Sequence, residues 1–274
     1  MSDTQKTTLG WFPGHMHKAR KELKEGLKYL DVIIEVADAR APFASLNPFL
    51  QGLCEGKPRI TLFNKKDLAD LHKLKQALST WGHPYLLGEA KSKGVITPLL
   101  ALAKKLAPHR GTSLSPLRLG VVGIPNVGKS TLINTLAGRK IAKVGDIPAL
   151  TRGMQKVNIS PEIQLIDSPG ILMPETDTHL NMIFLSAIGC IGARAMDEGH
   201  VVLDLLPELA KQYPEALVSR YGLTEALSDN SEELLTLIAR RIGAIKGDKI
   251  YPEKASQRLI QDLRTGKLGK VTFL

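Results

Sequence analysis

The segment GIPNVGKST at residues 123–131 has the residue types and the spacing of a phosphate-binding loop. Gly123, Gly128, Lys129 and Ser130 occupy the fixed positions, between a run that predicts a strand and a run that predicts a helix. Glycine allows backbone N–H groups to turn toward an anion at the positive end of the following helix. Lys129 would then neutralise β- and γ-phosphate oxygens, and the Ser130 hydroxyl would bind Mg²⁺. The segment predicts a site for a nucleoside triphosphate.

Two further segments predict the groups that meet the terminal phosphate. IQLIDSPGI carries Asp167 at the end of a predicted strand, where a carboxylate can hold Mg²⁺ through water, and the Gly170 N–H can contact the γ-phosphate. Thr151 lies in PALTRG between the two motifs, and we expect its hydroxyl to meet Mg²⁺ and the γ-phosphate in a mobile loop. The alternative for Thr151 is an ordinary turn residue.

The tetrapeptide NKKD at 64–67 predicts which base is bound, because it directly follows the predicted strand RITLF. Asp67 can accept hydrogen bonds from both guanine N1–H and the exocyclic amine, the Asn64 amide can meet the acceptor edge of the ring, and the Lys65 stem would lie across the base. Adenine offers neither donor, so binding it would leave a desolvated carboxylate unpaired. In GEAKSKG at 88–94, the Ala90 N–H could reach the guanine oxygen, although Glu89 replaces the usual serine.

These motifs together predict a site for GTP or GDP with Mg²⁺. Its expected nucleotide-binding residues are Asn64, Lys65, Lys66, Asp67, Ala90, Lys91, Gly123, Ile124, Pro125, Asn126, Val127, Gly128, Lys129, Ser130, Thr131, Thr151, Asp167 and Gly170. The expected ligands of Mg²⁺ are Ser130, Thr151 and Asp167.

Strand and helix patterns alternate through the first two thirds of the chain, which predicts an α/β fold with a mostly parallel sheet and helices on both faces. Strands are expected at 32–38, 59–64, near 84–88, from 117, at 155–160 and at 163–167; helices are expected at 47–55, 68–81, 96–106 and 129–136. Residues 107–116 are expected to form an exposed linker. Helical patterns follow from about 181, so we predict a nucleotide-binding domain at 1–183, with a basic helix within 11–30, and a small helical domain at 184–274.

The composition is that of a globular protein, with 43% hydrophobic and 23% charged residues, which excludes intrinsic disorder. The apolar runs are shorter than the roughly 18 residues of a membrane helix. The N-terminus resembles neither a secretory signal nor a transit peptide. Cys54 and Cys190 are far apart, which favours a reducing compartment. We expect a cytoplasmic protein without a membrane partner, acting as a monomer.

The net charge of +10 is concentrated at the two ends of the chain. Residues 1–30 carry six Lys/Arg against three Asp/Glu, and residues 239–270 carry nine against three. This concentration of positive charge suggests that the two ends attach to a polyanion. The alternative is that the charges belong to a basic helix face that is simply solvated. Because aromatic residues make up only 5%, contacts with backbone phosphates rather than base stacking are expected for a nucleic-acid partner.

The order of the motifs is unusual, since base recognition precedes the phosphate loop, whereas ordinary GTPases have the reverse order. Circular permutation preserves such a site because the termini of a compact domain lie close together. WFPGHMHKARKEL, the DAR at 38–40, NKKD, GIPNVGKSTLIN and DSPGIL occur in that order. In this respect the chain resembles, over nearly its whole length, the circularly permuted GTPases of the YlqF type, the ribosome biogenesis GTPase A family.

The resemblance implies hydrolysis of GTP to GDP and phosphate, coupled to late maturation of the large ribosomal subunit and to rRNA binding, with turnover stimulated by the ribosome. Many GTPases orient the attacking water with a glutamine after the DxxG glycine, but Ile171 stands here and cannot form that hydrogen bond. The resemblance implies that His15 of the WFPGHM motif assists instead; the alternative is that His15 caps a helix or contacts RNA. Asn126 matches an asparagine that helps hold K⁺ beside the phosphates in related potassium-activated GTPases.

Two other functions remain open at this stage. The chain could be a nucleotide-dependent binding switch whose hydrolysis matters little. It could also be a phosphotransferase of the kinase type, although NKKD argues against this because kinases commonly select adenine.

Overall fold

The fold centres on a six-stranded, mostly parallel sheet. The structure is a computed structural model that describes residues 25–53, 56–141, 155–167, 178–192, 197–223 and 227–274. The strand order is β3-β2-β1-β4-β6-β5, and β5 alone runs antiparallel to its neighbour within this sheet. The strands are β1 Val32–Asp38, β2 Arg59–Asn64, β3 Tyr85–Leu87, β4 Leu117–Val122, β5 Gln155–Ser160 and β6 Ile163–Asp167.

The central strands are nearly continuous apolar runs, as expected for parallel strands covered on both faces. All seven residues of β1 are buried. Its Val32, Ile34 and Val36 pack in the main core, whereas Ile33 packs in a separate cluster with Leu27 and Leu30. The predicted α/β class with a mostly parallel sheet is therefore correct.

Helices connect these strands and then form a second region at the C-terminal end. Those in the first part are α1 Pro48–Leu53, α2 Leu71–Ala77, α3 Ile96–Leu106 and α4 Lys129–Ala137. Those in the second part are α5 His179–Ala187, α6 Glu198–Gln212, α7 Pro214–Tyr221, α8 Ser231–Arg241 and α9 Pro252–Thr265, with a short hairpin of β7 Ile245–Lys246 and β8 Lys249–Ile250. Among the described residues, no helix is both long and apolar enough to cross a membrane.

Most predicted boundaries agree with the structure to within a few residues. One difference is the helix expected at 68–81, which is α2 followed by a 3-10 turn at Leu78–Thr80. The helix starts at Leu71 because the Asp70 side chain accepts hydrogen bonds from the backbone N–H groups of His72 and Lys73. The basic helix expected within 11–30 lies largely outside the described residues.

The last residues of the chain return to the sheet region. The Phe273 N–H donates to Arg40 O at 2.7 Å, and the Val271 N–H donates to Leu68 O at 3.2 Å. The buried Phe273 ring stacks on Phe184 of α5, with 4.4 Å between the ring centroids. The C-terminal segment therefore connects the helical region to the loops that follow β1 and β2.

Candidate nucleotide site

A cleft of about 700 Å³ lies at the carboxyl edge of the parallel strands, where α/β proteins commonly bind ligands. It is lined by many of the residues that the sequence motifs predicted, namely Asn64, Lys65, Asp67, Ala90, Lys91, Asn126, Gly128, Lys129, Ser130 and Thr131. The base motif and the phosphate loop, more than fifty positions apart in the chain, thus share one cleft.

Two glycines allow the phosphate loop to close against its neighbours. Gly123 has a φ of +142°, and a Cβ there would lie 2.4 Å from Val36 O of β1. Gly128 has a φ of +107°, and a Cβ there would lie 2.2 Å from Asn64 Nδ2. A side chain at either position would strain the backbone. It would also collide with the β1 backbone at position 123 and with Asn64 at position 128, so glycine is needed at both.

The loop passes directly into α4, which begins at Lys129. Ile124 and Val127 are buried in the main core and anchor the loop, and Pro125 between them is also buried. The Lys129 ammonium donates to Ile124 O at 2.6 Å, so its stem curls back over the loop. An ammonium held there is suited to a phosphate seated on the first N–H groups of α4.

Asn64 bridges the two nucleotide loops. Its Nδ2 donates to Val127 O at 2.7 Å, and its Oδ1 accepts from the Ala90 N–H at 2.7 Å. The expected contacts of Asn64 and Ala90 with the base stay predictions, and the structure adds a bond between these two residues and a bond from Asn64 to the phosphate loop. Asn64 reaches the loop carbonyl because it is the last residue of β2.

Lys65 and Asp67 of NKKD line the cleft from the turn after β2, whereas Lys66 does not line it. Lys65, with a φ of +60°, donates from Nζ to Asn126 O at 3.1 Å. The Lys66 N–H donates to Gly88 O at 3.2 Å, which links this turn to the segment after β3. Asp67 and Lys91 form an ion pair at 2.6 Å, and the hydrogen bond to Asp67 raises the pKa of Lys91. A carboxylate with a cation beside it, open to the cleft, is the group expected to read a guanine edge.

Ser130 and Asp167 are residues whose oxygen atoms are of the kind that Mg²⁺ prefers. Ser130, the second residue of α4, lines the cleft. Asp167 ends β6 and pairs with Val121 of the parallel strand β4, so the backbone places Asp167 at the edge from which the phosphate loop leaves. The donor types and this placement fit Mg²⁺. Thr151 and Gly170, and the proposed catalytic residue His15, lie outside the described residues.

Several cleft residues were not identified as site residues from the sequence. Arg40 reaches the cleft from the segment after β1, Gly189 from the turn after α5, and Arg264 from α9. The Asn126 Nδ2 donates to Gly189 O at 2.9 Å, while Arg264 donates to Ala187 O and Ser186 O at 3.0 and 2.9 Å. The DAR motif was a signal for Arg40, but the sequence has no comparable signal for the other two residues.

Comparison with known proteins agrees with this geometry. A family model described as 50S ribosome-binding GTPase matches residues 118–234. Ribosome biogenesis GTPase A of Bacillus cereus is 38% identical over 97% of this chain and 93% of its own length. The chain belongs to the ribosome biogenesis GTPase A family.

As a ribosome biogenesis GTPase A family member, the chain binds guanine nucleotides and hydrolyses GTP, so the phosphotransferase alternative is wrong. It is also similar to mitochondrial ribosome-associated GTPase 1 of Mus musculus, at 32% identity over 95% of this chain and 88% of that protein. The crystal structure of GNP-bound YlqF from T. maritima shares the fold, with a TM-score of 0.65, 24% identity, and coverage of 93% of this chain and 97% of that chain. The fold is thus that of a circularly permuted P-loop GTPase with a helical C-terminal part, as the motif order predicted.

Proposed function

We propose that this GTPase is an assembly factor for late maturation of the large ribosomal subunit and that contact with the subunit accelerates its hydrolysis of GTP. The observation that carries the proposal is the similarity, over nearly the whole chain, to GTPases named for ribosome biogenesis. The Asn64 bridge, which holds a guanine motif and a phosphate loop in one cleft, supports its nucleotide-dependent part. Relatives in bacteria and mitochondria are named for the ribosome, and the bacterial relatives support action in the cytoplasm. We expect a monomer to act.

A basic surface supports rRNA as the partner. Of the nine cations at 239–270, all but Arg264 are exposed in the structure: Arg240, Arg241, Lys246, Lys249, Lys254, Arg258, Lys267 and Lys270. They lie on α8, on the β7–β8 hairpin, on α9 and just after it. Arg264 instead binds carbonyl groups at the end of α5, so it serves the fold. Exposed cations of this kind bind a phosphate backbone and release its counterions.

In the proposed site, the predicted nucleotide-binding residues surround GTP, with Asp67 reading the guanine edge and Lys129 meeting the phosphates. Ser130, Thr151 and Asp167 would hold Mg²⁺, which supplies charge neutralisation between the β- and γ-phosphates. Asn126 would contribute to a K⁺ site: the bond from its Nδ2 to Gly189 O fixes the amide, so its Oδ1 is the ligand atom. His15 would orient the attacking water when the subunit is bound.

The test is co-sedimentation with mature large, small and immature large subunits, with GDP or a non-hydrolysable GTP analogue. We expect the analogue to favour binding to large or immature large subunits. Single-turnover hydrolysis should accelerate when those subunits are added. If added subunits do not accelerate hydrolysis, the protein is better described as a pure binding switch. If the rate of hydrolysis is the same in Na⁺ as in K⁺, the proposed K⁺ site is wrong.

A matched pair of variants tests the basic surface. Lys267→Gln with Lys270→Gln removes two exposed charges at the end of α9, and Lys104→Gln with Lys105→Gln removes two exposed charges on α3. The first pair should weaken sedimentation and lower the slope of log affinity against log salt by about 2, since each phosphate contact contributes about 0.9. Equal effects of both pairs would contradict a localised RNA surface.

A further inference from the structure

A buried ion cluster lies directly behind the guanine motif. Asp38, the last residue of β1, is fully buried, and Arg40 two positions later is 1% exposed. Arg40 Nε donates to Asp38 Oδ1 at 2.9 Å, and its Nη2 donates to Oδ2 at 2.7 Å, which is a bidentate pair. Lys65 Nζ lies 2.8 Å from the same Oδ2. One buried carboxylate therefore holds two cations.

The Asp38 carboxylate is ionised because its ion pairs stabilise the charge by more than burial destabilises it. Burial opposes charge on Asp38, but the ion pairs with Arg40 and Lys65 hold the pKa of that carboxyl well below its usual value. The pKa of Arg40 is raised, since its pairing with Asp38 exceeds the effect of its own burial. A charged, doubly paired carboxylate keeps a fixed orientation, because each oxygen already has a directed partner.

The sheet sets where this carboxylate points relative to the guanine motif. Asp38 pairs with Asn64 in the parallel register of β1 and β2, so Lys65 begins the turn beside it. Lys65 adopts a left-handed φ of +60°, a conformation that non-glycine residues rarely adopt without support. From there its ammonium contacts both Asp38 Oδ2 and Asn126 O, so two acceptors from different loops determine the course of the Lys65 stem.

We propose that Asp38 is a positioning residue for guanine-nucleotide binding, which holds the Lys65 ammonium against the phosphate loop so that the Lys65 stem is preset to lie across the base. Arg40 orients Asp38 for this task. The same arginine donates from Nη2 to Ile188 O at 3.2 Å, so the cluster also ties the guanine motif to the turn after α5. The proposal rests on the role of Lys65 in the proposed site.

The test is a double-mutant cycle on GDP affinity, measured with a fluorescent GDP analogue and competing GDP. Lys65→Met alone should weaken binding by about 10-fold, because it removes the ammonium whose contacts with Asp38 and Asn126 O hold the stem in place. Asp38→Asn should weaken it by a similar factor. Because Asp38 acts through Lys65, adding Asp38→Asn to Lys65→Met should produce little further loss.

Glu35 provides a matched control on the same strand. It is also a buried carboxylate paired with an arginine, since Arg59 Nη1 lies 3.4 Å from its Oε2, but it faces away from the guanine motif. Glu35→Gln also replaces a buried carboxylate by an amide on β1, and it should leave the GDP affinity of the folded protein within about 2-fold of wild type. A general loss of packing would affect affinity equally in the two variants.

Breaking one side of a buried pair can prevent folding. If Asp38→Asn does not fold, Asp38→Asn with Arg40→Met removes both partners together, and Glu35→Gln with Arg59→Met is its control. An Asp38 effect that is undiminished in the Lys65→Met background would overturn the positioning role. Unchanged GDP affinity in Lys65→Met alone would instead refute the assignment of Lys65 to the site.

Discussion

Asn64→Asp is a one-atom change that tests the bridge between the two nucleotide loops. The substitution keeps the shape of the side chain and the acceptor that binds the Ala90 N–H. It replaces the donor facing Val127 O, at 2.7 Å in a buried position, by an oxygen. A buried carbonyl left without its donor costs about 1–3 kcal/mol, and the negative charge that aspartate introduces beside it in a buried position adds about 1 kcal/mol or more. The unfolding free energy should therefore fall by about 2–4 kcal/mol.

Thermal unfolding with and without GDP measures this change. For a chain of this size each kcal/mol lowers the Tm by about 2–4 °C, so the expected drop is about 4–16 °C. GDP should also raise the Tm of Asn64→Asp by less than it raises that of the wild type, since the variant binds GDP more weakly and ligand stabilisation depends on affinity.

Asn158→Asp is the matched control, because the same one-atom change is made at an exposed amide on β5. There the Asn158 Oδ1 accepts from Gln164 Nε2 at 3.0 Å, and an oxygen retained at that position keeps the bond. The control should change the unfolding free energy by no more than about 0.5 kcal/mol. Similar melting curves for the two variants, with an equal response to GDP, would refute the bridging role of Asn64.

Three further changes test the base site, the chain end and the buried thiol. Asp67→Asn should relax guanine preference in a nucleotide competition assay; a selectivity equal to that of the wild type would show that another group reads the base. Phe273→Ala removes a fully buried ring and should lower the urea-unfolding free energy by about 3–5 kcal/mol, against little change for the half-exposed Leu274→Ala. Burial raises the pKa of the Cys190 thiol to about 11. In a Cys54→Ser chain at pH 8, a thiol reagent should therefore label Cys190 only as fast as the protein unfolds, and rapid labelling of the folded protein would contradict the burial.

The sequence predicted the sheet well because its signals are local. A short apolar, β-branched run such as VIIEVAD is typical of a buried strand, and β1 has the predicted bounds of residues 32–38. The phosphate loop was equally clear, since its glycines adopt the positive φ values that the motif requires. Both features depend on a few consecutive residues, so no knowledge of distant contacts was needed.

The contacts between loops could not be predicted in the same way. The Asn64 bridge, and the contacts of Arg40 and Asn126 with the turn after α5, join positions from different parts of the chain. A motif predicts that a side chain has a role, but the partner depends on how strands are ordered in the sheet. The motif therefore predicted a contact between Asn64 and the base, which stays a prediction, but it did not predict the bond from Asn64 to the loop carbonyl.

The contacts across the cleft join loops that belong to separate stretches of the chain. In this chain β1 to β3 carry the base motif and precede β4, and the β1–β4 pairing and side chains that cross the cleft bring the base loop and the phosphate loop together. Asn64 and Lys65 provide two such crossings, and Lys65 depends on Asp38 for its position. The last residues then bind the segments after β1 and β2, where Phe273 donates to Arg40 O. Because Arg40 also orients Asp38, removal of the chain end should disturb the guanine motif itself, and nucleotide affinity should fall together with stability.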